Sequence, residues 1–407
     1  MNSPHGALSR TKLALESGLR HGYYTQARVV VQHSKQTLRA SVGTPISDGN
    51  AQPEPLYPLF CAAKPLLGLA VALLVERGDL SYEDLLDDLI PGFGRYGKAE
   101  VRLSHVLLYT SGFRRDPACS HLGKPWPDIV DAICQARLED GWSPGMQACY
   151  QPFAYWYLIG EILMNVTGQP LGQLLRTLIL DPFELSNTWV GMTPSEYSRN
   201  ATRMVRLIST RYESLEAAIA PLSPGPGYPA DLSSEKVCCA HADYSSRGSL
   251  SDQVQMYAIL ADPAASAALI PTRAREQVIA RHRRGMVDQL SGVVCDVGYG
   301  VSCESRMYGT RSQRYGKWAS EQSFGHLGGF CVVGFGDPVA GIAAAYGVDG
   351  SAGPLRNWHR TQAVFTAIYE DLGQKLSGAG RAGHQRAQQE ESFQEPTWTD
   401  PGDSQPR

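Results

Sequence analysis

The chain has 407 residues, enough for one large domain or two modest ones. Hydrophobic residues make up 43% and charged residues 19%, which excludes a chain disordered throughout. Lys and Arg number 37 against 40 Asp and Glu, and the formal charge of −3 removes a strongly basic nucleic-acid binder as the default.

Residues 1–20 carry Leu8, Leu13, Ala14 and Leu19 on one side of a short amphipathic helix. Ala27 to His33 and Thr37 to Val42 read as two strands of a hairpin, with Ser34-Lys35-Gln36 as the turn. Cys61 to Arg77 has helical length and is apolar nearly all round, which predicts a buried helix. Pro65 must then lie in its first turn, because an interior proline breaks a helix. Gly78 ends it. Tyr82 to Ile90 reads as a second helix, closed by Pro91-Gly92.

From about 95 to 260 helical stretches alternate with Pro- and Gly-rich loops. Val101–Tyr109, Ile129–Ala136, Ala154–Val166, Leu171–Leu180 and Leu250–Leu260 are the expected helices, and Pro221–Ala230 is an expected loop. After Val293 the texture changes to short strands: Val297–Cys303, Arg306–Gly309, Gln322–His326, 330–337 and Ala340–Gly347. Trp358 to Leu376 reads as a closing helix. Residues 377–407 are rich in Gly, Gln, Glu and Pro and read as a disordered tail.

Strands at both ends and helices between them predict an α+β chain, a sandwich of α/β/α kind. One domain over 1–376 would take its antiparallel sheet from about 20–60 and 290–376, with a helical insertion over about 80–260. A cleft between the two parts is the expected place for a site.

The longest apolar run, Leu66 to Val75, is too short to span a bilayer. The first residues lack the apolar stretch and small-residue cleavage site of a secretory signal. The nine cysteines are scattered and contain no C-x-x-C pair. A cytoplasmic protein is the expectation, with most thiols acting as small core hydrophobes. No His/Glu motif such as H-E-x-x-H is present, so no metal or other cofactor is implied, and neither nucleic acid nor membrane is an expected partner.

The chemistry-bearing pattern is Cys61-Ala62-Ala63-Lys64. A thiol at a helix start feels the positive end of the helix, which favours thiolate. Lys64 follows on the same face, and Leu66 and Leu67 would desolvate its amine, which depresses its pKa. Such a pair can make an activated nucleophile.

The surroundings of that pair occur in a familiar order. Phe60-Cys61-Ala62-Ala63-Lys64-Pro65 precedes Leu107-Leu108-Tyr109-Thr110-Ser111-Gly112, then Trp142-Ser143-Pro144-Gly145 and Cys149-Tyr150. Tyr155 to Leu163, Asp181 to Thr188 and Gly325-His326-Leu327-Gly328-Gly329 follow. From about Val29 to Leu372 the chain resembles the serine β-lactamase and penicillin-binding protein superfamily, in particular its esterase and transacylase branch. The family's fold agrees with the layout above.

The resemblance implies roles by position. Cys61 stands where the family has its nucleophilic serine, and Lys64 where it has the lysine of the same motif. Tyr150 matches the second-motif tyrosine, which relays a proton to and from nucleophile or leaving group. His326 stands at the third-motif lysine, with Gly328 after it, as substrate-binding residues. The N–H groups of Cys61 and Gly329 would form the oxyanion hole. Three departures stand out: Cys61 for Ser, Pro152 where penicillin-recognising members have Asn, and His326 for Lys. The last two fit esterase and acyltransferase branches better than β-lactam recognition.

Other tempting residues read differently. Gly92 to Gly97 matches G-x-G-x-x-G but follows a helical pattern instead of a strand, so it fails the dinucleotide test. Ser111 has no lysine three residues on and suits a turn. Cys149 reads as a packed thiol and Cys238-Cys239 as a loop or core feature.

The expected activity is covalent acyl transfer through an acyl-Cys61 intermediate. A thioester reacts well with amines relative to water, which points to a transacylase joining a small-molecule acyl donor to an amine or alcohol acceptor. The alternatives are a cytosolic esterase or amidase of the same fold, and a binding protein with a degenerate site.

Overall fold

The computed structural model describes residues 8–43, 53–210, 231–240, 242, 244–329 and 331–374. The expected loop at Pro221–Ala230 and the expected tail at 377–407 lie outside the described residues.

The first hairpin forms where two short strands flank a polar turn. β1 (Ala27–His33) pairs antiparallel with β2 (Gln36–Val42), from Ala27 opposite Val42 to His33 opposite Gln36. Ser34 and Lys35 turn the chain with φ of 49° and 64°, a twist that matches the flanking strands. The C-terminal half supplies β3 (Ser302–Cys303), β4 (Phe324–Gly328), β5 (Val332–Asp337) and β6 (Ile342–Val348). The sheet runs β2-β1-β6-β5-β4-β3 and is antiparallel at every junction. The two chain ends therefore meet at β1 and β6, with Val30 opposite Ala345.

Strand alternation assigns the two faces. On one face Phe335 packs against Phe365 and stacks with Tyr369 of α7 (Pro354–Asp371), which also packs on α1 (Ser9–Arg20). On the other face Gly334 and Gly336 lie against Tyr257 and Ala261 of α5 (Leu250–Ala261). Helices on both faces of one antiparallel sheet make the α/β/α sandwich the sequence implies.

α2 (Lys64–Arg77) carries Pro65 in its first turn and is buried from Lys64 to Leu74, as its all-round apolar sequence requires. It packs between α4 (Ala154–Thr167) and α6 (Thr272–Ile279). The short turn just before α2, Phe60–Ala63, packs against β4. That contact brings two distant sequence motifs side by side.

Three expected elements differ. Only Leu86–Leu89 of the 82–90 segment is helical, because the Asp87 carboxylate accepts the N–H groups of Gly92 and Gly94 and turns the chain early. Arg306–Gly309 is not a strand: Arg306–Tyr308 is a 3₁₀ turn. The buried carboxylate of Glu304 accepts the N–H groups of Ser305, Arg306, Arg314 and Tyr315 and curls this segment around itself. Only Ser302 and Cys303 of the 297–303 segment join the sheet, since Val297 pairs instead with Arg283 and Ser302.

Candidate active site

Cys61 sits in the 3₁₀ turn that leads into α2. Phe60, immediately before it, has φ of 46°, a left-handed conformation that non-glycine residues rarely adopt. Strain of this kind persists only where the surroundings enforce it. Here they do: Leu59 N–H donates to the Ser246 carbonyl, and Ala62 N–H to that of Leu59. Cys61 is half-buried and carries no disulfide.

Lys64 is only 1% exposed. Its Nζ donates to Tyr150 Oη at 3.0 Å and to the Gln151 carbonyl at 3.0 Å. The rings of Tyr150, Tyr155 and Tyr109 lie 4.2, 4.7 and 5.2 Å from Nζ. An unpaired buried ammonium is costly. Ring faces and a carbonyl replace part of the lost hydration, each desolvated ring contributing on the order of 1 kcal/mol. The buried Asp116 carboxylate also lies within the field of Lys64, whose charge offsets part of the rise that burial imposes on Asp116.

Tyr150 links the lysine to the thiol. Its side chain is hydrogen-bonded to Cys61 as well as to Lys64. Burial, and then the charge of Cys61, push the phenol well above its ordinary value near 10, so Tyr150 is a neutral O–H at physiological pH. The segment is held from outside. Tyr150 N–H donates to Asp288 Oδ1 at 3.3 Å, and Asp288 pairs with Arg283 at 3.3 Å. Gln151 Nε2 donates to the Phe113 carbonyl. Asp116 accepts the N–H groups of Phe153 and Ala154 at the start of α4.

The third part comes from β4. A Cβ on Gly328 would lie 1.9 Å from the Leu59 carbonyl oxygen, and one on Gly329 would lie 2.4 Å from the Phe60 ring. Gly329 also has φ of 52°. Gly328 thus leaves no room for a side chain and Gly329 sits where one would be strained, and both lie against the turn that carries Cys61. His326 is 4% exposed, with its ring centre 6.2 Å from that of Tyr150. The structure therefore gathers Cys61, Lys64, Tyr150, His326, Gly328 and Gly329 into one place. A surface hollow of about 440 Å³ at Tyr96, Leu138 and Trp142 is lined by none of them.

A profile of the beta-lactamase family matches residues 16–364, most of the chain. The chain belongs to the beta-lactamase family. It is 30% identical over 141 residues to penicillin-binding protein 4* of Bacillus subtilis, covering 33% of this chain and 30% of that protein. It is 22% identical over 141 residues to the esterase/beta-lactamase LipL of Mycobacterium tuberculosis, covering 34% and 32%. The chain thus aligns with about a third of the length of these curated relatives. A penicillin-binding protein homologue from Caulobacter crescentus superimposes with a TM-score of 0.67 at 23% identity, over 90% of this chain and 97% of that one. A hydrolase with promiscuous acyltransferase activity superimposes with a TM-score of 0.70 at 15% identity, over 90% and 99%. These likenesses show the fold.

In this beta-lactamase-family site the motif residues were readable and their supports were not. Tyr109 and Tyr155 lie inside segments that carry the family resemblance, yet nothing in one sequence says that their rings face Lys64. Asp116, Gln151 and Asp288 act through their contacts with backbone groups, which leave no spacing signal. Cys149 is a packed thiol as expected: burial raises it to about 11, and its Sγ donates to the Arg114 carbonyl at 3.4 Å. Among the described residues, no helix is long and apolar enough to cross a membrane, and no three His, Cys, Asp or Glu side chains are placed to hold a metal.

Proposed function

We propose that the chain is an acyl-enzyme hydrolase of esterase or amidase type, with Cys61 as the acylated residue. The observation that carries this is the Lys64–Tyr150–Cys61 chain of hydrogen bonds, 3.0 Å from Nζ to Oη, on the family's scaffold. The Cys61 proton leaves through Tyr150 towards Lys64, and the sulfur attacks the acyl carbon. The N–H groups of Cys61 and Gly329 face the developing oxyanion. The bond to the leaving group then breaks, and Tyr150 delivers the proton to that group. Water repeats the sequence on the thioester, releasing the acid and restoring the thiol.

Hydrolysis is favoured over the transfer that the sequence suggests because the relatives bear hydrolase names: an esterase/beta-lactamase and putative D-alanyl-D-alanine carboxypeptidases among the proteins, and a family VIII carboxylesterase and D-amino acid amidases among the structures. A second reading is transfer to an amine or alcohol. The thioester intermediate favours it, and one structural neighbour is described as having promiscuous acyltransferase activity.

Intact-mass spectrometry of wild type and Cys61→Ala with a panel of esters and thioesters tests both readings. An acyl adduct on the wild type alone, discharged by water, supports the hydrolase. Acceleration of discharge by an amine, with amide formed, supports transfer. No adduct with any donor, together with a thiol that iodoacetamide titrates at an ordinary pKa, leaves only a binding protein.

A further inference from the structure

Among the described residues, several buried polar atoms around the site have no hydrogen-bond partner: the hydroxyls of Tyr109 and Tyr155, and the one basic nitrogen among them, His326 Nε2. His326 stands on β4 opposite Gly334, on the face that carries α5 and the Cys61 turn. Its Nδ1 lies 2.8 Å from the Leu327 carbonyl oxygen. A carbonyl only accepts, so Nδ1 holds the proton and Nε2 presents a lone pair. Nε2 is buried without a hydrogen-bond partner among the described residues. Buried acceptors are nearly always paired, so an unpaired one beside a nucleophile calls for an outside donor.

The neighbours do not supply one. The Tyr150 hydroxyl is engaged by Lys64 and Cys61. The Tyr257 hydroxyl is itself buried without a partner and makes no hydrogen bond to Nε2. Nor does the ring answer itself by protonation. Burial, then the charges of Lys64 and Arg314, hold His326 down to about 3. Arg314 is itself faced by the Glu304 carboxylate.

We propose that His326 determines specificity at this site: its Nε2 accepts a hydrogen bond from an uncharged N–H on the leaving-group side of the acyl donor. The side follows from its neighbour, since Tyr150 returns the proton to the leaving group. A carboxylate at the same place would set lone pair against lone pair and is disfavoured. The preferred substrates are therefore acyl donors whose leaving group carries an amide N–H. This rests on Cys61 being the acylated residue.

Three butyryl thioesters test it: one of N-acetylcysteamine, one of its N-methyl analogue, and one of 3-mercaptopropionate. Each is read twice, by thiol release and by protection of Cys61 against iodoacetamide. The wild type is expected to prefer the N–H compound at least about tenfold over both others. His326→Leu is expected to treat the N–H and N-methyl compounds alike, and His326→Lys to shift preference to the carboxylate. Equal handling of the first two by the wild type means that a bound water answers Nε2, and overturns the proposal. So does an unchanged N–H preference in His326→Leu, or protection by none of the three. A Cys61→Ala protein that releases thiol as fast as wild type overturns the nucleophile assignment instead, with the N–H preference still measurable by thiol release.

Discussion

Lys64 Nζ and Tyr150 Oη lie 3.0 Å apart, with the Gln151 carbonyl as a second acceptor on the amine. The amine thus touches a hydroxyl that is also hydrogen-bonded to Cys61, a direct route for the proton that the proposed reaction moves. Lys64→Ala should lower kcat/KM for a simple ester by about 10²- to 10⁴-fold, the range of a positioned general base. Stopped-flow acylation kinetics read the loss, with thermal unfolding run beside it to show a folded variant. Acylation within threefold of wild type would remove Lys64 from the mechanism.

Tyr150→Phe separates proton delivery from nucleophile activation. Because the phenol is held well above 10, Tyr150 enters the reaction as an O–H donor throughout neutral pH. A poor leaving group needs that proton and a 4-nitrophenolate does not. The variant is expected to lose about 10²-fold or more on alkyl esters and clearly less on 4-nitrophenyl esters. Equal losses on both would deny the delivery role.

The sheet was legible because its central strands are short apolar runs bounded by Gly or polar turns and its hairpin turn is short. β1 and β2 match the expected bounds within a residue. What failed were segments whose conformation is set by a distant or buried side chain. Arg306–Tyr308 curls because Glu304 takes its backbone, and no local propensity announces that. The site divides in the same way. Cys61, Lys64, Tyr150 and the glycines keep a fixed spacing from neighbouring motifs, so position alone finds them. Tyr109 and Tyr155 matter through ring direction, which exists only after α2 and α4 have packed.

The neutral His326 has a cost in acid. In the unfolded chain a histidine takes its proton near 6.5, whereas in the fold it does so only near 3. Below pH 6.5 the unfolded state thus binds a proton that the native state refuses, and stability falls as pH drops through this window. At pH 4 the loss is on the order of 3 kcal/mol. Urea unfolding at pH 7 and pH 4 should show a larger fall for wild type than for His326→Leu, because all other titrating groups are common to both. Parallel falls would show that His326 is not held neutral.

Gly328 and Gly329 should fail differently when given a methyl group. At Gly328 the obstacle is backbone, the Leu59 carbonyl oxygen at 1.9 Å, so Gly328→Ala must displace the Cys61 turn or β4. A stability loss of about 2–4 kcal/mol is expected. At Gly329 the obstacle is the Phe60 ring at 2.4 Å, which a side-chain rotation can relieve. Gly329→Ala should fold with a smaller loss, that of its positive φ, yet tilt the N–H proposed for the oxyanion and slow acylation about 10²-fold. Denaturant melts and acylation rates on the same samples separate the two. Two variants alike in both respects would count against the oxyanion assignment.

Cys61→Ser decides how much of the chemistry belongs to sulfur. The scaffold keeps Lys64, Tyr150 and the glycines, so a serine here has the partners to be acylated. Its oxygen is held on a shorter bond, farther from Tyr150, and a hydroxyl gives up its proton less readily than a thiol. Slower acylation is therefore expected, with the oxygen-ester adduct of the variant still visible by intact mass. The informative quantity is the product ratio with an amine present. A thioester discriminates towards amines and an oxygen ester less so, so the amide-to-acid ratio should fall in the serine variant. An unchanged ratio would mean that an acceptor pocket sets the partition. A wild type that yields acid alone at every amine concentration would fix the chain as a hydrolase whose thiol confers no transfer.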